Sequence, residues 1–208
     1  MFDHEQEYRT PELMQRLRSF PITLCGAGAL GANLTENLAR SGFGTLRIID
    51  RDRIEERNLS TQPYYKSDIG AYKAKILANS LYRALGIVIE PKIQELTPHN
   101  CQQLFRSEGL IVETFDNSTS RQAVKDYCTQ ASLPCLHVGL ASDYAEIVWN
   151  EGYRVPSPVN DDVCDYPLAR NLVFLAVAVA SEVIVQFVAT QAQTSYTVTL
   201  SDFAVKPF

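Results

Sequence analysis

The sequence predicts an α/β protein: a doubly wound, mostly parallel sheet that ends in antiparallel strands and a long buried helix. Three observations carry this. Ile22-Thr23-Leu24-Cys25 is a short apolar run that ends in glycines, as a buried strand does. After Gly26-Ala27-Gly28-Ala29-Leu30-Gly31, the residues Leu30, Leu34 and Leu38 recur every fourth position and place one apolar stripe on a helix. Leu46-Arg47-Ile48-Ile49 then forms a second apolar run that stops at Asp50. Strand, helix and strand within roughly thirty residues make a βαβ unit, the start of a Rossmann-like sheet.

The remaining elements follow in order. Residues 1–19 are a polar lead-in with a short helix over 11–18. Gly42 and Gly44 stop the first long helix. Residues 51–69 are polar and irregular, and a connection of that length inside a compact domain is commonly functional. The pattern then predicts a helix over 71–85, a third strand over 87–89, a short helix over 98–106 and a strand over 110–115. A helix over 120–131 and a strand over 135–140 come next. Residues 144–149 alternate and predict an antiparallel strand. Residues 150–165, rich in Pro, Asp and Asn, are a loop. Residues 168–189 read as a helix apolar on nearly all sides, and so as a buried one. A strand over 196–200 closes the chain.

Composition bounds the function. The 208 residues suit one domain, at about 100–200 residues per domain. A hydrophobic fraction of 46% with 21% charged residues describes a folded chain rather than a disordered one. A net charge of −5 argues against general nucleic-acid or anionic-membrane binding. Cys25, Cys101, Cys128, Cys135 and Cys164 are odd in number and scattered, which predicts reduced thiols and a cytoplasmic protein. There is no C-x-x-C pair, so no zinc is expected, and His4, His99 and His137 read as surface or packing residues. The start is polar and acidic, unlike a signal peptide. The longest apolar run, 172–180, is shorter than a bilayer span, and Glu182 soon interrupts the stretch.

Gly26, Gly28 and Gly31 permit a tight turn at a helix N-terminus, where backbone N–H groups and the helix dipole attract an anion. Asp50, at the end of the second strand, can accept hydrogen bonds from ribose hydroxyls. These features alone do not separate NAD, FAD and ATP. Further motifs follow in order: Asp50-Arg51-Asp52-Arg53-Ile54, Asn58-Leu59-Ser60-Thr61-Gln62, Asp68-Ile69-Gly70-Ala71-Tyr72-Lys73, and Phe115-Asp116-Asn117 with Arg121. In these the chain resembles the ThiF/MoeB/HesA family of ubiquitin-activating-enzyme-like adenylyltransferases. The family pattern is a glycine loop, D-x-D-x-[IV], N-L-x-R-Q, [DV]-[IV]-G-x-x-K and T-D-N-x-x-x-R. The resemblance runs over nearly the whole chain from residue 22.

That resemblance implies ATP and Mg²⁺ as ligands. It also implies a small ubiquitin-like or sulfur-carrier protein ending in Gly-Gly, whose C-terminal carboxylate attacks the α-phosphate to give an acyl-adenylate and pyrophosphate. Lys73 would supply charge to the phosphates, and Asp116 would hold the metal. Asp50 would anchor the ribose, Asp52 would belong to the same nucleotide site, and Asn58 and Gln62 would position phosphates or the metal's water shell. Arg121 would neutralise Asp116 or orient its loop. Thr61 departs from the family's arginine and cannot replace its charge or its fork of donors. Arg53 and Arg57 are the candidates to compensate. Family members often take an arginine from a second subunit, and Arg9 is the candidate here. The apolar face over 172–188 fits a homodimer. Cys164 lies where thioester-forming relatives place a reactive thiol; an acceptor and an inert loop thiol both stand as readings. The rival functions are an NAD(P)-dependent oxidoreductase, a catalytically weak partner of an active subunit, and the branch that adenylates a carboxyl on modified tRNA.

Overall fold

The computed structural model describes residues 1–157 and 168–208. Eight strands form one sheet: β1 (Pro21–Cys25), β2 (Thr45–Ile49), β3 (Glu90–Lys92), β4 (Leu110–Glu113), β5 (Cys135–Ala141), β6 (Tyr144–Trp149), β7 (Tyr196–Thr199) and β8 (Ala204–Pro207). Their spatial order is β3-β2-β1-β4-β5-β6-β7-β8. The first five run parallel and the last three are joined antiparallel. The order reverses at β1, which lies between β2 and β4. In open sheets of this kind, ligands bind outside the carboxyl ends of the strands at such a reversal.

The helices are α1 (Asp3–Arg9), α2 (Pro11–Ser19), α3 (Ala29–Arg40), α4 (Lys73–Leu85), α5 (Cys101–Leu104), α6 (Ser118–Ala131) and α7 (Arg170–Thr190). They cover both faces of the sheet. Leu24, Val112, Leu136 and Val138 point to one face and pack with α3, α4 and α7. Cys25, Ile111 and Cys135 point to the other and pack with α5 and α6. This alternation along each strand, with apolar residues on both faces, is what a sheet between two helical layers requires.

Helix α7 has 21 residues and is long and apolar enough, by length and composition alone, to cross a membrane. The sequence expectation of too short a run thus understated it. Here it is a core helix: it packs on α2, α3 and strands β5, β6 and β7. Most of the apolar face over 172–188 is therefore covered by this chain itself. Phe174, Ala178, Glu182 and Gln186 form the exposed strip that remains. Arg16 donates to the carbonyls of Val188 and Ala189 and so caps the C-terminal end of α7.

The structure corrects several expected elements. Helix α1 was not expected. The third strand is Glu90–Lys92 rather than 87–89; Ile89 is buried just before it and packs into the core. This strand is an edge, where charged residues and a proline are tolerated because one side faces solvent. The expected last strand is followed by another, β8, at the opposite edge. Helix α6 begins two residues earlier than expected, because Asn117 caps it by accepting from Ser120 N–H at 2.8 Å.

Candidate active site

The glycine turn lies at the carboxyl end of β1. Gly26 has φ +104°, a left-handed conformation that a side chain resists. A Cβ on Gly31 would come within 2.0 Å of the Gly26 carbonyl oxygen, so Gly31 lets α3 pack on the turn. A Cβ on Gly28 would meet nothing within 4 Å. Gly28 is the N-cap of α3 and supplies no side-chain cap. The N-terminus of α3 thus has no side-chain cap and has open space beside Gly28, as an anion site needs.

Asp50 braces this turn. It is buried, and its Oδ2 accepts the N–H of Ala27 at 2.7 Å while Oδ1 accepts that of Asp52 at 2.6 Å. Burial pushes its pKa up; the Ala27 N–H and the charge of Lys73 oppose that. Tyr64, which sequence reasoning missed, donates its buried hydroxyl to the Ala27 carbonyl at 2.9 Å. Thr114, also missed, donates to the Cys25 carbonyl at 2.8 Å and lies against Gly26. A buried tyrosine in a polar loop and a threonine ending an apolar strand were the available signals.

Residues 51–72 are irregular but ordered. Two 3₁₀ turns, Glu56–Ser60 and Lys66–Asp68, fold the segment back. Asn33 of α3 donates to the Thr61 carbonyl at 2.7 Å and ties the segment to the first helix. The fold delivers Lys73 to the site: its N–H donates to the Asp52 carbonyl at 2.9 Å. Its Nζ lies 3.5 Å from Asp52 Oδ2, with the Lys73 side chain only 11% exposed. A lysine that merely sat on a solvated helix face would be far more exposed.

Other predicted residues are placed as follows. Asn58 Oδ1 accepts the Glu55 N–H at 2.9 Å and so closes its own turn. Gln62 is buried, and its Oε1 has no hydrogen-bond partner. It lines a cleft of about 350 Å³ with residues of α3, α4 and Arg170, a group that includes none of the glycine turn, Lys73 or Asp116. Thr61 is buried. Arg53 stacks on Tyr72 and donates to the Gly70 carbonyl at 2.6 Å, whereas Arg57 pairs with Glu55 at 2.7 Å. Asp116 is exposed on the turn after β4. Arg121 Nε donates to the Phe115 carbonyl at 2.6 Å, so it does hold the Asp116 turn.

Arg9 pairs within its own chain with Glu182 of α7 and with Glu5, at 2.6 Å for the latter. Those carboxylates, Glu182 first, raise its pKa further. Cys164 lies outside the described residues. Cys25, Cys101, Cys128 and Cys135 are buried, unpaired thiols. Burial pushes Cys25 and Cys135 well up and Cys101 to about 11, so none of the three offers a thiolate near neutral pH. His137, expected as a surface or packing residue, is part of a buried polar cluster with Glu113 and Asn150. Among the described residues, no group of three or more His, Cys, Asp or Glu side chains could hold a metal.

A doubly wound sheet with a glycine turn braced by Asp50 and a buried lysine near that carboxylate is an arrangement that α/β proteins use to bind nucleotides. The sequence model of the ThiF family matches residues 5–165, and the chain belongs to that family. It is 34% identical over 123 residues to a probable adenylyltransferase/sulfurtransferase MoeZ of Mycobacterium tuberculosis, covering 58% of this chain and 31% of MoeZ. It is 30% identical over 139 residues to the sulfur carrier protein ThiS adenylyltransferase of Bacillus subtilis, covering 64% of this chain and 41% of the relative. The chain spans less than half the length of the curated relatives it matches. Among solved structures, Escherichia coli MccB with AMPCPP and MccA superposes at a TM-score of 0.83 with 19% identity, over 99% of this chain and 68% of MccB. PaaA superposes at 0.77 with 20% identity, over 98% of this chain and 68% of PaaA. At these identities the likeness is one of fold.

Proposed function

We propose that this chain is an ATP-dependent adenylyltransferase that activates the C-terminal carboxylate of a small ubiquitin-like or sulfur-carrier protein. The observation that carries the reading is the placement of Lys73. A buried lysine from the start of α4 stands with Asp50 and Asp52 beside the open N-terminus of α3. The family's relatives named as adenylyltransferases support it.

The reaction assigns each group a task. A carboxylate oxygen of the carrier forms a bond to the α-phosphorus of ATP. The bond from that phosphorus to the bridging oxygen breaks, and pyrophosphate leaves with the electron pair. Negative charge grows on phosphate oxygens, so cationic and N–H groups around them lower the barrier. The N–H groups at Gly28 and the start of α3 suit the phosphates. Lys73 adds a compact positive charge. Asp50 already accepts one N–H on each oxygen; each oxygen keeps a second lone pair for a ribose hydroxyl. An exposed single carboxylate such as Asp116 fits Mg²⁺, which is usually held by one or two carboxylates together with phosphates and water. The metal would neutralise phosphate charge. A homodimer belongs to the same reading, with the exposed strip of α7 at its interface. Arg9 would have to leave Glu182 to act on a partner's site.

Thr61 favours a second reading, a catalytically weak partner of an active subunit. To replace the missing arginine, Arg53 would have to leave the Gly70 carbonyl or Arg57 would have to leave Glu55. Two measurements decide. ATP with Mg²⁺ should raise the melting temperature, and NAD should not. Carrier-dependent ATP–pyrophosphate exchange should appear; its absence with every Gly-Gly carrier of the source genome, despite ATP binding, would establish the weak-partner reading.

A further inference from the structure

Cys25 and Glu113, the last residues of β1 and β4, and His137, the third residue of β5, sit side by side, paired in register across the sheet. They share the face that packs on α6. Glu113 and His137 are each 1% exposed. Burying two ionisable groups in an otherwise apolar layer is costly unless each polar atom is satisfied. Here each is. Glu113 Oε1 accepts the N–H of Phe115 at 2.5 Å. Glu113 Oε2 lies 3.0 Å from His137 Nδ1, and His137 Nε2 lies 2.8 Å from Asn150 Oδ1.

The orientation of Asn150 fixes the histidine. Its Nδ2 donates to Thr129 Oγ1 at 2.7 Å, and that hydroxyl spends its own proton on the Lys125 carbonyl. The atom facing His137 is therefore the amide oxygen, an acceptor, so His137 Nε2 carries a hydrogen. One further proton lies between His137 Nδ1 and Glu113 Oε2. In either location it leaves Oε1 bound to Phe115.

The network closes around one peptide. Phe115 is held at its N–H by Glu113 and at its carbonyl by Arg121 at 2.6 Å. Tyr153 stacks on His137 with ring centroids 3.8 Å apart and meets Arg121 NH1 through its hydroxyl at 3.0 Å. Glu113, His137, Tyr153 and Arg121 thus form a ring whose two ends grip Phe115, the residue immediately before Asp116. An apolar pair would fill the same space at similar stability, but it could not grip that N–H.

We propose that Glu113 and His137 are positioning residues that fix the Asp116 turn for adenylation. The proposal rests on the adenylation reading and deepens it. A reacting group displaced by about 1 Å can cost about a hundredfold in rate, which is the scale of effect at stake.

The test compares E113Q, E113A and the double variant E113L/H137L with the wild-type chain. In E113Q the amide oxygen keeps the Phe115 bond, and its NH₂ donates to a neutral His137. Exchange activity within about threefold of wild type is expected. E113A and E113L/H137L lose the grip on Phe115, and kcat for exchange should fall about ten- to a hundredfold while KM for ATP changes little. The double variant keeps the core filled and guards against a folding failure of E113A. A readout independent of activity is amide hydrogen exchange at Phe115, which should be slow in wild type and E113Q and at least tenfold faster in the double variant. Equal Phe115 exchange in wild type and E113L/H137L overturns the proposal, as does an unchanged kcat in that variant or an E113Q as impaired as E113A. If the wild-type chain itself shows no pyrophosphate exchange, the adenylation reading fails instead, and the Phe115 measurement still judges the network.

Discussion

Asp50 Oδ2 accepts the N–H of Ala27 at 2.7 Å, so the carboxylate that ends the second strand holds the glycine turn that follows the first. With Oδ1 on Asp52 N–H, the same side chain anchors the start of the next segment as well. A residue expected from sequence as a ribose contact is also a brace. Asp50→Asn can keep only one of these acceptors. It should therefore lower stability by about 1–3 kcal/mol, the cost of leaving a buried N–H unpaired. Thermal melting without any nucleotide checks this; an unchanged melting temperature would return Asp50 to a ligand contact alone.

Gly28 and Gly31 should separate binding from folding. Gly31→Ala drives a Cβ against the Gly26 carbonyl and should cost about 1–3 kcal/mol, roughly 2–12 °C in melting temperature. Gly28→Ala meets nothing in the protein and should melt as wild type does. Its added methyl occupies the open space at the α3 N-terminus, so ATP should bind it more weakly. Melting curves with and without ATP for both variants measure the contrast.

Lys73→Ala should lower pyrophosphate exchange about a hundred- to a thousandfold, as loss of one charge-stabilising group does. Asp116→Ala should abolish exchange with the fold intact, because Asp116 is exposed and holds no core contact. Circular dichroism and exchange rates read these together. Wild-type rates in either variant remove that residue from the chemistry.

Cys164→Ala decides between the two readings of that thiol. If it is the acceptor, the variant keeps adenylation and forms no thioester with the carrier. Non-reducing gels with and without thiol show the outcome. A reducing-agent-sensitive adduct that persists in the variant assigns the thiol elsewhere.

Acid stability should depend on Glu90. Lys92 and then Arg47 hold its carboxyl at about 2, below its ordinary 4.5. Because the folded value is the lower one, the contribution is complete above pH 4.5 and fades as pH falls towards 2. Glu90→Gln should thus lower the melting temperature most at pH 6, where the contribution is complete, and the two curves should converge as pH falls from 4.5 towards 2.

Much of the candidate site's placement in the fold was legible because glycine and charge punctuate sequence strongly. The glycine turn, Asp50, Lys73 and Asp116 all stand at element ends, where residue type is tied to backbone geometry. Glu113 and His137 were not legible, because their pairing depends on which strands become neighbours. They are 24 residues apart and meet through the parallel register of β4 and β5. Gln62 shows what a motif leaves open: its side chain is buried and it also lines a cleft with residues of α3 and α4, which its place in the motif does not reveal. The third strand was misplaced because apolar Ile87-Val88-Ile89 resembles a strand, whereas an edge strand such as Glu90-Pro91-Lys92 needs no apolar run.

Both outer strands of the sheet carry a proline, Pro91 in β3 and Pro207 in β8. A proline nitrogen has no hydrogen to offer, so neither margin presents an unbroken row of donors to an incoming strand. Growth of the sheet by annealing of copies edge to edge is thereby discouraged at both of its margins.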